Sequence, residues 1–493
     1  SSEQQQAVKQ QAANLNLGRV ADKQAMGSLS LRASLGLFLV AISAAEWINS
    51  EITRTIDAKE HVVRIKTEYV LNGGKGEYLV AYPAEFADRI AYIAAEAGKG
   101  KDIPISQKEI KDGLVFFSTD LGTSKLLTVS AVIVNPFEML PAEITQQEPQ
   151  FVVYEDTELV PSPYPTETQT TKLKLPSKNT LSVQPEEDKR SGATLTFGPH
   201  DNTAALAAGA FGSLRAHFMN NFPAAVAHDV FREIEVSHWG NVAVEELYEV
   251  RHAGARLKGG FSRIDFMQKR LRESPAFTAL TARIPAEARG IYYRDQIGNV
   301  SSSDIRPAAV AGQIELEIRP RFPLFGGWKT EWYQGWNLPS EAGLTRSEGG
   351  RYTLTADFGI PFKDVWVEDH QVKVILPEGA TDIEVRVPFE VEEGRSSRAT
   401  YLDTPLMGGR PIVTLRKLNV VREHNRPFTV SYTFRPHYML HEPLVCVAFF
   451  AALFALAILL GRVDLRLTRG GGGAAGRRRA QEESHGEGTG GGG

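Results

Sequence analysis

The sequence predicts a mainly β protein: two antiparallel β-sandwich-like domains followed by a single transmembrane helix. Three observations predict it. Apolar residues recur at every second position through both halves of the chain, turns rich in Gly, Pro and Asn separate those runs, and one unbroken apolar stretch lies near the C-terminus. A period of two marks a strand with one buried face. Short turns between such strands favour antiparallel sandwiches over a parallel sheet crossed by helices.

Taken in order, Val63, Ile65 and Leu71 alternate with Arg64, Lys66 and Glu68. Asn72-Gly73-Gly74 then accepts positive φ before Tyr78, Val80 and Tyr82 resume the alternation, which predicts a hairpin. Pro83 to Glu96 reads as a helix, and Thr203 to Asn220 as a second one. Strands are expected at Leu127, Val129, Ala131 and Ile133, over Arg232 to Glu246, at Ile314, Leu316 and Ile318, and at Ile383, Val385, Val387, Phe389 and Val391. The polar stretch Ser177 to Ser191 and the Ala/Gly-rich Ala204 to Gly212 read as surface insertions. A division near residue 250 gives domains over 46–250 and 251–438, both of ordinary size. No internal sequence repeat is evident.

The ends of the chain predict where it resides. Leu444 to Leu460 is an apolar run of 17 residues, and with Met439 and Leu440 upstream it predicts a transmembrane helix over 439–461. Arg462, Arg466, Arg469 and Arg477 to Arg479 follow at once, and such an excess of positive charge marks the cytosolic side. The body is therefore expected in the lumen, with 462–493 a short disordered Gly/Arg tail. Met26 opens a signal-peptide pattern over 26–45, with Arg32, an apolar stretch from Ala33 to Ile42, and Ser43 and Ala45 suited to cleavage. Residues 1–25 are Gln/Ala-rich and polar, and are expected to be upstream translation with Met26 the true start.

Composition excludes several functions. Among 493 residues, Lys+Arg 55 against Asp+Glu 59 leaves a net charge of −4, with no basic block in the body to bind nucleic acid. The single cysteine, Cys446, excludes an intrachain disulfide, a Cys-based zinc site and a thiol redox pair. No phosphate loop and no H-E-x-x-H occur, and Gly260-Phe261-Ser262-Arg263-Ile264 lacks the final glycine of a nucleophile elbow. His217, His228 and His238 are close in sequence, yet solvated or hydrogen-bonded histidines are expected there, not metal ligands. Glu245-Glu246 and Glu392-Glu393 point to opposite strand faces, which rules them out as acid/base pairs. No catalytic, cofactor-binding or metal-binding residue is expected.

Two features carry information. Arg319 to Trp336 gathers Phe322, Phe325, Trp328, Trp332, Tyr333 and Trp336, and aromatic residues with Arg are what buried interfaces prefer. Phe322, Phe325, Trp328, Trp332 and Trp336 are the candidate interface aromatics, and the alternative reading is that they are core residues around a Pro/Gly-rich corner. Asn299-Val300-Ser301 is an N-x-Ser/Thr triplet, so Asn299 is the candidate N-glycan acceptor of a lumenal chain.

Eight strings, collinear along the chain, carry a resemblance. They are Gln150 to Glu155 (QFVVYE), Ser162 to Thr170 (SPYPTETQT), Ile234 to Glu246 (IEVSHWGNVAVEE), Leu257 to Arg263 (LKGGFSR), Tyr292 to Ser301 (YYRDQIGNVS), Glu317 to Thr330 (EIRPRFPLFGGWKT), Ile375 to Ala380 (ILPEGA) and Tyr401 to Thr404 (YLDT). In these the chain resembles the ribophorin I family, from about residue 46 to the membrane helix. The resemblance implies a non-catalytic subunit of the endoplasmic reticulum oligosaccharyltransferase complex. There a separate polytopic subunit transfers the preassembled glycan from dolichol pyrophosphate to Asn of N-x-Ser/Thr. The implied partners are that subunit and the others of the complex, nascent secretory polypeptides, the endoplasmic reticulum membrane and the translocon, with no cofactor. Asn299 falls in the family's sequon string. Animal members carry a sizeable cytosolic domain after the membrane helix, in place of the Gly/Arg tail here, so ribosome docking is not carried over. Pro405 to Gly408 and the Ala-rich insert also depart from the pattern. The competing expectation is a type I membrane receptor whose β-sandwiches bind glycans or peptides.

Overall fold

The computed structural model describes residues 47–462, except 99, 206–210, 269–273, 400–402 and 404–407. The expected upstream segment, signal peptide and Gly/Arg tail lie outside the described residues.

A large sheet is built from β1 (Trp47–Asp57), β2 (Val63–Gly73), β3 (Ile90–Ala97), β4 (Leu126–Ile133), β5 (Thr166–Lys174) and β6 (Thr194–Thr203), in the order β6-β5-β1-β2-β4-β3. Short edge strands extend it at both sides, Lys189–Ser191 and Lys101–Ile103. A second large sheet follows: β7 (Ala225–Ser237), β8 (Asn241–His252), β9 (Arg289–Asp295), β10 (Lys329–Pro339), β11 (Val365–Ile375) and β12 (Arg410–Val420). Its order is β12-β11-β7-β8-β10-β9, the first sheet's order repeated strand for strand. In each, one pair is parallel, β1 with β5 and β7 with β11, and the other pairs of the six are antiparallel.

The repetition extends to the smaller sheets. Glu77–Pro83, Leu114–Asp120 and Ile105–Lys111 form a three-stranded sheet, matched by Leu280–Pro285, Gln313–Ile318 and Asp304–Pro307. Four-stranded sheets of Thr180–Gln184, Leu214–Met219, Phe151–Asp156 and Phe137–Met139, and of Thr381–Arg386, Pro427–Thr433, Arg351–Asp357 and Leu344–Arg346, complete the two copies.

Register carries the correspondence to single residues. The β1–β2 ladder shifts between Asn49 and Glu51, and the β7–β8 ladder between Ala227 and Asp229. Counted from those bulges, Arg54 and Arg232 are equivalent. Both are buried, and both donate to two consecutive carbonyls at the end of the equivalent strand. Arg54 reaches Thr157 O and Glu158 O, and Arg232 reaches Asp357 O and Phe358 O. The acid that balances each comes from a different strand: Asp156 at 3.5 Å from Arg54, and Glu246 Oε1 at 2.6 Å from Arg232 Nε. In each case a tyrosine two residues away donates to that acid, Tyr154 at 2.7 Å and Tyr248 at 2.8 Å. Charges buried this deeply persist only when paired and fully hydrogen-bonded.

Alternation builds the core as expected. Along β8 the inward positions are Val242, Val244, Glu246, Tyr248, Val250 and His252, with Asn241, Ala243, Glu245, Leu247, Glu249 and Arg251 on the other face. In the first copy, Ile52, Tyr69, Leu127 and Val129 pack on the three-stranded sheet through Tyr78, Val80 and Phe117. Ile56, Ile65, Ile133 and Leu195 pack on the four-stranded sheet through Tyr154, Ala216 and Phe218. Arg54 lies between these two groups, on the face it shares with Ile52 and Ile56.

Several expectations are corrected. The turn glycines after Leu71 have positive φ, but the run they lead into pairs with Leu114–Asp120, not with β2, so the 63–82 segment crosses between sheets instead of closing a hairpin. The stretch expected to be helical over Pro83 to Glu96 has one 3-10 turn, Ala84–Phe86, and then becomes β3. Pairing with β4 overrides the helical propensity of its alanines. Leu214–Met219 is a strand as well, and the remainder of the second expected helix is non-helical or outside the described residues. Arg232 to Glu246 spans a hairpin, and β7 and β8 pair with strands of the later half, so the second large sheet starts at Ala225, ahead of residue 250, while a small parallel pairing of Glu143–Ile144 with Arg256–Leu257 crosses between the halves. Within Ser177 to Ser191, Thr180–Gln184 and Lys189–Ser191 are sheet strands.

The copies join head to tail. The turn between β1 and β2 meets the second copy, where Val62 packs with Val226, Trp366 and Val421. Around that apolar seam, Arg64 pairs with Glu423 at 2.7 Å and Arg422 with Glu60 at 3.3 Å. Past the second copy, helix α2 (His441–Arg462) has no buried side chain and is apolar on all sides. At 1.5 Å per residue its length is about 33 Å, enough to cross a bilayer core. The short helix α1 (Arg263–Gln268) lies after β8.

Candidate functional site

The aromatic segment divides into two environments. β10 runs straight, so Trp332, Gln334 and Trp336 share its inward face. Trp332 stacks on Tyr248 at 4.9 Å and donates through Nε1 to Gln334 Oε1 at 3.2 Å. Both tryptophans are core residues, and Phe325 is buried too. Trp328 is half-buried against the edge of the core, and Phe322 is 43% exposed.

Around Trp328 an aromatic corner forms. Its ring meets Phe261 and Phe322 edge-on at 5.8 Å each, and Phe325 at 5.6 Å. Phe266 adds contacts to Phe261 at 5.7 Å and to Phe325 at 5.9 Å. Alongside, Ile264 and Met267 of α1 are 69% and 74% exposed, so the corner presents apolar surface to its surroundings.

Backbone packing holds this corner in place. A Cβ on Gly326 would lie 1.8 Å from Ala255 O, so only glycine lets the two chains approach. Leu257 N donates to Gly326 O at 3.2 Å, Gly327 N to His252 O at 2.9 Å, and His252 N to Trp328 O at 3.0 Å. The His252 ring stacks on Phe277, donates from Nε2 to Pro275 O at 2.7 Å and accepts at Nδ1 from Gly254 N at 3.0 Å. Burial pushes its pKa down, which keeps the ring in this neutral tautomer.

Asn299 lies on an exposed turn after β9. The Asp295 carboxylate accepts from Ile297 N at 2.9 Å and Gly298 N at 3.1 Å, and Arg321 pairs with it and holds its pKa below the usual carboxylate range. Val300 is buried and anchors the turn through its N–H to Tyr293 O at 3.0 Å, leaving Asn299 and Ser301 exposed on either side. The Asn299 side chain accepts from Arg294 Nε at 2.7 Å.

The other singled-out residues have structural partners. His217 contacts Leu140 O, His228 pairs with Glu368, and His238 meets Tyr432. Among the described residues no group of three His, Cys, Asp or Glu is placed to hold a metal. Ser262 Oγ accepts from Asp265 N at 3.3 Å at the start of α1. Glu246 is buried against Arg232, while Glu245 faces the other way and accepts from Tyr292. Cys446 is exposed on α2.

Sequence reasoning missed Phe261, Ile264, Phe266 and Met267 as parts of the corner. A signal was present: Phe261, Ile264 and Met267 recur at a spacing of three, the period of one helix face.

Fold and site together define a protein with a doubled β-sandwich body, an aromatic corner at its surface and, among the described residues, one helix long and apolar enough to cross a membrane. The chain belongs to the ribophorin I family, whose model matches residues 47–461. It is similar to dolichyl-diphosphooligosaccharide–protein glycosyltransferase subunit 1 of Caenorhabditis elegans, with 39% identity covering 88% of this chain and 76% of that one. Subunits 1B and 1A of Arabidopsis thaliana share 35% and 38% identity, covering 90% and 88% of this chain and 99% and 73% of theirs. A solved two-domain M1 zinc metallopeptidase aligns over 42% of the chain at 9% identity with a TM-score of 0.25.

Proposed function

We propose that this chain is a non-catalytic accessory subunit of the endoplasmic reticulum oligosaccharyltransferase complex. In this reading it supports transfer of the preassembled glycan to Asn of N-x-Ser/Thr in nascent secretory polypeptides, and another, polytopic subunit performs the chemistry. The observation that carries the reading is the family match from the first described strand to the end of the membrane helix, with relatives named as subunits of that glycosyltransferase. The doubled β body stands in the lumen and α2 anchors it. Asn299 carries an N-glycan, and the corner of Phe261, Phe322 and Trp328 contacts a neighbouring subunit. An exposed aromatic cluster beside Arg is the composition of an interface centre.

The test is affinity purification of the tagged full chain from microsomes in mild detergent, assayed for glycan transfer to an N-x-Thr peptide. Co-purifying activity, together with an endoglycosidase-sensitive glycan lost in Asn299→Gln, is the expected result. A solitary, inactive protein with processed glycan would instead make it a cell-surface receptor.

A further inference from the structure

The head-to-tail repeat leaves one end uncovered. In the first copy the β1–β2 turn is closed over by the second copy. The equivalent turn of the second copy, between β7 and β8, has no third copy to meet. The local structure is otherwise preserved: His61 stacks on Phe222 at 5.6 Å, and His238 stacks on Phe434 at 4.1 Å. At the tip of the open turn stands Trp239, 61% exposed, whereas the other five tryptophans are buried or half-buried.

That turn adjoins the membrane helix. His238, Trp239, Phe434, Tyr438, Met439 and Glu442 line one cavity, and Glu442 lies in the first turn of α2. Arg410 fixes the geometry by pairing with Glu235 near the end of β7 at 2.6 Å, Glu442 at 2.6 Å and Asp403 at 3.2 Å. Three carboxylates on one guanidinium link the β7–β8 turn to the start of the helix. The helix becomes continuously apolar at Leu444, about 3 Å along the axis from Glu442, which sets the level of the membrane surface.

We propose that the open end of the second copy rests on the bilayer, with the Trp239 indole seated in the lipid headgroup–acyl boundary beside Tyr438. The indole has an apolar ring and one N–H donor, and such rings concentrate at that boundary. The occupant is lipid, since the surface is continuous with a helix whose every side is apolar and exposed. The contact fixes the tilt of the β body relative to the membrane plane, and it holds whatever complex the chain enters.

The full chain is tested in phosphatidylcholine vesicles. Trp239→Cys in a Cys446→Ala background is labelled with an environment-sensitive fluorophore, and Leu181→Cys, exposed in the first copy, serves as the reference. Lipids carrying a nitroxide high on the acyl chain are expected to lower emission at 239 about two-fold or more, lipids carrying it mid-bilayer less, and neither at 181. Equal emission changes at 239 and 181 would overturn the proposal. So would a change at 239 that appears only when other subunits are added, which would assign the surface to protein. With native side chains, Trp239→Phe must reduce quenching of tryptophan emission by brominated lipids, and quenching equal to wild type would overturn it.

Discussion

Removing the charge on either side of the Arg232–Glu246 pair tests the buried architecture that both copies share. Glu246→Leu leaves the Arg232 guanidinium buried without its counter-charge, and Arg232→Met leaves the carboxylate with only the Tyr248 and Gln334 donors. Each single change is expected to cost about 3–5 kcal/mol, the penalty of an uncompensated buried charge. Their sum would be about 6–10 kcal/mol. The double variant strands no charge. It orphans the Asp357 carbonyl together with the Tyr248 and Gln334 donors, while the Phe358 carbonyl keeps its His370 Nε2 partner at 2.8 Å, so about 3–4 kcal/mol is expected, about 1 kcal/mol or slightly more for each orphaned group. Trp332 stacks on Tyr248, so urea titration of the detergent-solubilised chain, followed by tryptophan emission, reports on the cluster. Additivity of the two single changes within about 0.5 kcal/mol would refute the argument, because it would mean the charges do not sense each other.

Arg54→Met should reproduce the effect in the first copy, since Arg54 holds the equivalent carbonyls and pairs with Asp156; a cost below about 1 kcal/mol by the same titration would break the equivalence. Burial lowers the pKa values of His61, His370 and His424 from 6.5 to about 3. The unfolded chain therefore binds more protons between those values, so stability is full above pH 6.5 and is lost as pH falls toward 3. At pH 5 the loss is about 2 kcal/mol per histidine, readable as a falling urea midpoint that is flat above pH 7. Gly326→Ala forces a Cβ against the Ala255 carbonyl and should destabilise by about 3 kcal/mol, measured as a lowered thermal midpoint. Trp328→Ala should leave that midpoint within a few degrees while reducing recovery of partner subunits; unchanged recovery would remove the aromatic corner as a contact.

Much of the fold was legible because alternation is a direct record of one buried face. β8 follows it residue by residue, and the apolar run at Leu444 to Leu460 lies within α2. Pairing partners were not legible. Nothing in the run Tyr78, Val80 and Tyr82 distinguishes a return to β2 from a move to another sheet, since both need the same turn glycines and the same alternation. The alanines of β3 state a helical preference that only its neighbour β4 overrides. Duplication was hidden for a related reason. Any two half-buried strands look alike at a period of two, and the matched arginines draw their acids from different strands, Phe151–Asp156 in one copy and β8 in the other.

The site was half legible. Composition located the aromatic segment, but the shared parity of Trp332 and Trp336 along one strand, which places both in the core, depended on knowing where β10 begins. Phe261 and α1 are brought to the corner by the bridge between Arg256 and Gly326 and by Gln146, whose side chain bonds both the N–H and the carbonyl of Ser262, long-range contacts with no local trace. The Asn299 triplet is a local pattern that the sequence displays directly, whereas the turn around it draws on Arg321 from a later segment, which the triplet does not reveal.

The most direct test of the central claim is sequon occupancy on secreted glycoproteins after depletion of this chain and re-expression of wild type. The account predicts that occupancy falls on depletion while the catalytic subunit is still present, and returns with the wild-type chain. Unchanged occupancy with the chain absent would contradict a role in protein N-glycosylation.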